Sequence, residues 1–225
     1  MATSSPRSRS ARHSILALGL QLVISAALAQ APTNPNLNAQ LLVGARQNDL
    51  AQVERVLANG AAPNSRNRLG KTALLIACEK GNEALAARML TAGTDVNLAS
   101  LERVTPLMAA SYGGFAPLVK SLLAAGAKTD PLDRMSKPAI VYAAAQGHVA
   151  VLELLLGSGI DINAPYEHRL TALMWAAGQG HAEAVKTLLA RGASAELRDD
   201  RGLTALDIAR QAGHLPAAAL LSAAH

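Results

Sequence analysis

The sequence predicts an all-α solenoid of six 33-residue units, and three observations carry that prediction. The first is self-similarity. TALLIACEKGN from Thr72, TPLMAASYGGF from Thr105, PAIVYAAAQGH from Pro138, TALMWAAGQGH from Thr171 and TALDIARQAGH from Thr204 start 33 residues apart, and AQLLVGARQND from Ala39 precedes them at the same spacing. The second is a pair of glycine registers with the same period, Gly81 to Gly213 and Gly60 to Gly192, with no insertion. A fixed period of this length marks a stacked array of units. The third is composition: half of the 225 residues are hydrophobic, yet only five are aromatic. Small aliphatic layers of Ala and Leu suit closely stacked helices.

Taken in order, the chain opens with an export signal. Residues 1–14 carry Arg7, Arg9 and Arg12 and no acid, and an apolar run from Ile15 to Leu28 ends in an A-x-A site before Gln30. A basic region, a short apolar run and small residues at the cut form a secretory signal peptide, cleaved after Ala29. The run is shorter than the ~20 residues that span a bilayer, so no stable membrane anchor is expected. A mitochondrial transit peptide is the alternative, because the first fourteen residues are Ser/Arg-rich; the long apolar run and the A-x-A site favour export. Residues 30–38 hold two prolines and no periodicity, which reads as a disordered linker before a repeat domain over 39–225.

Charge follows from the leader. Removing residues 1–29 takes away three of the 21 Lys/Arg and none of the 16 Asp/Glu, leaving 18 against 16, a net of +2. That balance does not describe a nucleic-acid binder. Cys78 is the only cysteine, so stability has to come from stacking and not from disulfides.

A 33-residue unit with a T-x-L opening, an Ala pair and a closing Gly resembles the ankyrin repeat, over about residues 37–225. The resemblance implies that each unit is a hairpin-like loop followed by two antiparallel helices. Thr72, Thr105, Thr171 and Thr204 are then placed to cap the first helix, and Pro106 suits its first turn. Leu74, Leu107, Ile140, Leu173 and Leu206 form one buried row; Ala77, Ala110, Ala143, Ala176 and Ala209 are small where helices approach closely. The second helices supply Val56-Leu57, Met89-Leu90, Leu122-Leu123, Leu155-Leu156 and Leu188-Leu189, each followed by a glycine fit for a left-handed C-cap. Both ends depart from the pattern, as caps facing water do. Family members often carry His two places after the opening Pro; here those places hold Leu75, Met108, Val141, Met174 and Asp207, so the bonds of that His must be missing or replaced.

Residues with chemical potential each have a structural reading. His148, His181 and His214 recur at one position. Stacked helices lie about 8–10 Å apart whereas zinc ligands sit about 2 Å from the ion, so these three read as turn residues and no metal is expected. Tyr142 and Trp175 share a register with Val43, Ile76, Ala109 and Ile208 and read as packing residues, and Cys78 reads as an inert small hydrophobe. No nucleophile, base and orienting group fall together, so the expectation is no enzyme and no cofactor.

The resemblance places partner binding in a concave groove lined by hairpin tips and first helices. Onto that groove the register maps Arg68, Leu69 and Lys71; Leu101 and Glu102; Arg134, Met135 and Lys137; His168 and Leu170; and Arg201, with Lys80 and Tyr112 from the first helices. Exposed apolar tips (Leu69, Leu101, Met135, Leu170, Leu203) are the informative feature. The five tip windows hold nine Lys/Arg and five Asp/Glu, so the expected partner is a protein presenting an acidic patch. The reading is a monomeric, non-catalytic binding module in the periplasm or outside the cell. Exported bacterial ankyrin proteins that look like this one include supporters of oxidant-defence enzymes and immunity proteins that block a toxin. An envelope polyanion binder is the further alternative.

Overall fold

The computed structural model describes Met1 and residues 34–224, so all but the first residue of the expected export signal lies outside the described residues. Among the described residues twelve α-helices follow one another in pairs. They are α1 (Pro35–Gln47) and α2 (Leu50–Ala58), α3 (Ala73–Lys80) and α4 (Glu83–Thr91), α5 (Pro106–Tyr112) and α6 (Ala116–Ala124), α7 (Ala139–Ala145) and α8 (Val149–Leu156), α9 (Ala172–Gly178) and α10 (Ala182–Ala190), and α11 (Ala205–Gln211) and α12 (Leu215–Ser222). Within the repeat region the odd-numbered helices stack on one another and the even-numbered helices do the same, giving an inner and an outer layer with the core between. Among the described residues no strand occurs, and no helix is long and apolar enough to cross a membrane.

The rows read from the sequence form that core. Leu74, Leu107, Ile140 and Leu173 are buried, Leu206 of the terminal unit is only half-buried, and the five alanines from Ala77 to Ala209 are fully buried. In each outer-helix pair the first residue (Val56, Met89, Leu122, Leu155, Leu188) is buried and the second is half-buried against it. Truncating one such leucine to Ala would cost about 2–5 kcal/mol.

Inner helices begin on hydroxyl caps. Thr72, Thr105, Thr171 and Thr204 accept from the backbone amides of Leu75, Met108, Met174 and Asp207 at 3.1–3.3 Å. Pro138 has no hydroxyl, so α7 starts without a side-chain cap. The place where the family often has His is filled by core residues in four units: Leu75, Met108, Val141 and Met174 are buried. In the last unit Asp207 completes a capping box with Thr204, accepting from the Thr204 amide at 3.0 Å and its hydroxyl at 2.8 Å.

Outer helices solve the same problem in two ways. Asp49 and Asn82 cap α2 and α4 through their side chains. Phe115, His148, His181 and His214 occupy that position in later units and give no side-chain cap. Each ring lies on a glycine of the preceding unit. A Cβ on Gly81, Gly114, Gly147 or Gly180 would come within 2.6 Å of Phe115, His148, His181 or His214 respectively. The His148 and His181 Nε2 atoms also bond the carbonyls of Tyr112 (2.9 Å) and Ala145 (3.0 Å). The recurring histidines are inter-unit staples.

One boundary needs correction. The stretch 30–38, read as linker, contains the start of α1 at Pro35. Asn34 accepts from the amides of Asn36 and Leu37, Pro35 fills the first turn, and Asn38 Oδ1 accepts from the Ala62 amide at 2.8 Å. An Asn cap followed by Pro is a helix start, and counting prolines as linker residues hid it.

Candidate functional site

The loops between units build the candidate site from a repeated turn. Four of the five carry a short polar residue five places before the inner-helix cap: Asn67, Ser100, Asp133 and Asp199. Asn67 Oδ1 accepts from the amides of Leu69 and Lys71, Asp133 Oδ1 from Met135 and Lys137, and Asp199 Oδ1 from Arg201 and Leu203, at 2.8–3.0 Å; Ser100 Oγ accepts from Val104 at 3.2 Å. These turns hold successive tips close enough to bond. The Leu101 amide donates to the Leu69 carbonyl (2.9 Å), Arg134 to Glu102 (3.2 Å) and Asp200 to His168 (3.1 Å).

The fifth loop differs. Tyr166 stands at the polar position: its amide still donates to the Leu170 carbonyl at 3.0 Å, but its side chain offers no short acceptor to the tip amides. Glu167–Arg169 winds into a 3-10 turn with His168 as well as Arg169 at positive φ. Among the described residues no backbone bond joins this tip to the one carrying Met135. The predicted site therefore falls into two groups.

The first group spans the three tips before that break. Leu69, Leu101 and Met135 are 60%, 55% and 53% exposed, and Leu101 lies over Gly70. Arg68 and Lys80 are exposed. Lys71 pairs with Glu79 at 2.7 Å, and Arg134 with Glu102 at 3.6 Å. Lys137 sets its ammonium 4.3 Å from the centre of the Trp175 ring. Tyr112, 56% exposed, meets Tyr142 edge-on with centroids 5.9 Å apart. The Tyr142 hydroxyl donates to Asp133, which is buried; burial first and the carboxylate second push the phenol pKa up.

Tyr142 and Trp175 were missed as site residues. Their register is core-facing on one side, but both are half-buried with the other side open beside the tip bases, where Lys137 and Tyr112 touch them. Three of the five aromatic side chains thus line one face.

The second group lies beyond the break. A depression of about 320 Å³ is lined by His168, Leu170, Asp199, Asp200 and Arg201. Leu170 and Leu203, expected at exposed tips, are half-buried. They stand next to the helix cap and not at the tip, so Leu170 packs on the core. Arg201 folds back on Asp199 at 2.7 Å, and exposed His168 sits 3.7 Å from Asp200 and 3.9 Å from Glu167.

The sequence matches the family described as ankyrin repeats (3 copies) over residues 41–133, 84–166 and 140–225. This chain belongs to the ankyrin-repeat family. No curated protein matches it. Ankyrin repeats of this kind form a protein–protein interaction module. The ankyrin turn also explains why Asp199 is so firmly ionised. Burial pushes its carboxyl up, but the Leu203 amide, the Arg201 guanidinium and the Arg201 amide together hold it below the usual aspartate range.

Proposed function

We propose that the chain is an exported, monomeric and non-catalytic binding module acting in the periplasm. It holds a partner protein in the groove between its loop tips and inner helices, and the partner presents carboxylates there. One observation carries this reading. Of the six exposed large apolar side chains within the described repeats, Val43 and Leu215 lie on the two terminal units, and the other four share three adjacent tips and the neighbouring inner helix: Leu69, Leu101, Met135 and Tyr112. Recurring apolar groups on one exposed edge mark interaction sites. Around them stand Arg68, Lys80, Arg103 and Lys137, which make no ion pair among the described residues. An enzyme of oxidant defence and a toxin are both partners that fit this description. A polyanion binder would use the same cations, but Lys71 and Arg134 are already engaged by carboxylates, and the apolar tips would serve no purpose.

The test is affinity capture from periplasmic extract with two baits, the native chain and one with Leu69, Leu101 and Met135 changed to Ser. One dominant protein held by the native bait and lost with the variant supports the reading. The same set on both baits removes the groove as the site.

A further inference from the structure

The inner layer has a dent. Four residues past the inner-helix cap, the units carry Ile76, Ala109, Tyr142, Trp175 and Ile208 in succession, so Ala109 is the one small side chain in a row of large ones. Above it lies an open socket of about 290 Å³, lined by Ala109, Met108, Val104, Tyr112, Tyr142 and Glu79. That volume is at the low end of small-molecule sites and is close to the room one large side chain needs. Its walls are set in advance. The two tyrosine rings stand at 84° to each other, and Tyr142 is fixed by Asp133, which the Met135 and Lys137 amides hold at 2.8 Å. A preorganised aromatic socket loses little entropy when filled.

The charges choose the occupant. Glu79, the one carboxylate at the socket, is 2.7 Å from the Lys71 ammonium, so an incoming cation finds it already compensated. Lys80 and Arg103, next in sequence to the lining residues Glu79 and Val104, and Lys137, whose ammonium lies over Trp175 in the same row, have no carboxylate partner among the described residues. Resting on the reading that this face binds a partner, we propose that the socket takes one aromatic or long aliphatic side chain of an extended acidic segment in that partner. Carboxylates flanking the anchor meet Lys80, Arg103 and Lys137. Anchors of this kind, buried centrally and ringed by weaker contacts, dominate binding energy, while the surrounding charges speed encounter.

The experiment pans a random phage-displayed peptide library on the full chain and measures the winning peptides, synthesised, against three variants. Ala109→Ile fills the socket with a side chain that Ile76 and Ile208 show the register accepts. Tyr112→Ser removes an exposed wall without touching the core, and Leu69→Ser/Leu101→Ser alters only the tips. The proposal expects winners with an aromatic, Leu or Met residue among Asp and Glu. They should bind Ala109→Ile and Tyr112→Ser at least about tenfold more weakly. Winners anchored by Lys or Arg, or equally tight on Ala109→Ile and Tyr112→Ser, overturn the socket; if they are still lost on the tip variant, the groove reading stands. Winners insensitive to all three variants, or no winners, overturn it as well, and only insensitivity to the tip variant also counts against the groove.

Discussion

Ser111 sits where its counterparts are Cys78, Ala144 and Ala177, fully buried in α5, and its hydroxyl is the one buried side-chain polar atom without a hydrogen-bond partner among the described residues. An unmade bond in the core costs the desolvation of the group. Ser111→Ala therefore removes a penalty and little else, and the variant should be about 1 kcal/mol more stable in urea denaturation. A less stable variant would mean that the hydroxyl has a partner in solution. At the same register the Cys78 thiol is fully buried, and burial above all, with Glu79 adding to it, pushes its pKa up to about 12. That agrees with the inert reading. At this scale the sequence spoke clearly about positions packed on all sides, because period and residue size decide them. It was ambiguous where a side chain is half-covered. Tyr142 and Ile76 share a register, yet Tyr142 shows one edge to the face, and whether it does depends on Ala109 in the unit before. A large neighbour would have closed the dent, and periodicity alone does not register what a neighbour lacks.

Helices and loops owe their order to glycines whose two uses the sequence could not separate. Gly126, after α6, has φ +85 and open space around its missing side chain. Gly114, before α6, has φ +72 and the His148 ring lying where a Cβ would be. Alanine at either site pays the left-handed penalty of about 1–2 kcal/mol. Gly114→Ala must also displace the ring and break the His148 bond to the Tyr112 carbonyl, adding about 1 kcal/mol. Denaturation of the two variants side by side should thus find Gly114→Ala the more destabilised; equal losses would refute the staple. The same contact accounts for aromatic rings where the outer helices otherwise want Asp49 or Asn82: capping is exchanged for contact with the preceding unit. The loop at Tyr166 was legible too. Polar Asn67, Ser100, Asp133 and Asp199 mark the turn position and Tyr166 breaks the series, although the helix motifs run through this unit unbroken.

Stacked units touch only their neighbours, so stability and its loss are local. The period legible in the sequence implies this much; where the stack is weakest needs the bonds themselves. At acid pH the terminal unit is the exposed one, because both aspartates held below their ordinary pKa belong to it. Asp199 is held by its loop amides and Arg201. Asp207 is held first by the Thr204 amide, then by the Thr204 hydroxyl, with Arg198 and Arg210 adding to it. A depressed folded pKa means that the unfolded chain binds more protons in acid, so the stabilisation is complete above the unfolded value of about 3.9 and disappears as pH falls through the folded values. Protonating Asp199 leaves Arg201 without its partner; protonating Asp207 weakens the cap of α11. Hydrogen exchange followed from pH 6 down to this window should find amides of α11 and α12 losing protection before those of α3 to α6. Asp199→Asn should bring part of that loss on at neutral pH and reduce its dependence on acid to what Asp207 contributes, since one of the two titrating groups is gone. Loss that starts uniformly along the stack, or a variant with the native acid profile, would place the acid sensitivity elsewhere. The terminal unit supplies Asp199, Asp200 and Arg201 to the second depression, so acid should dismantle that wall while the aromatic socket, formed around Ala109 and Tyr142 further up the stack, keeps its shape.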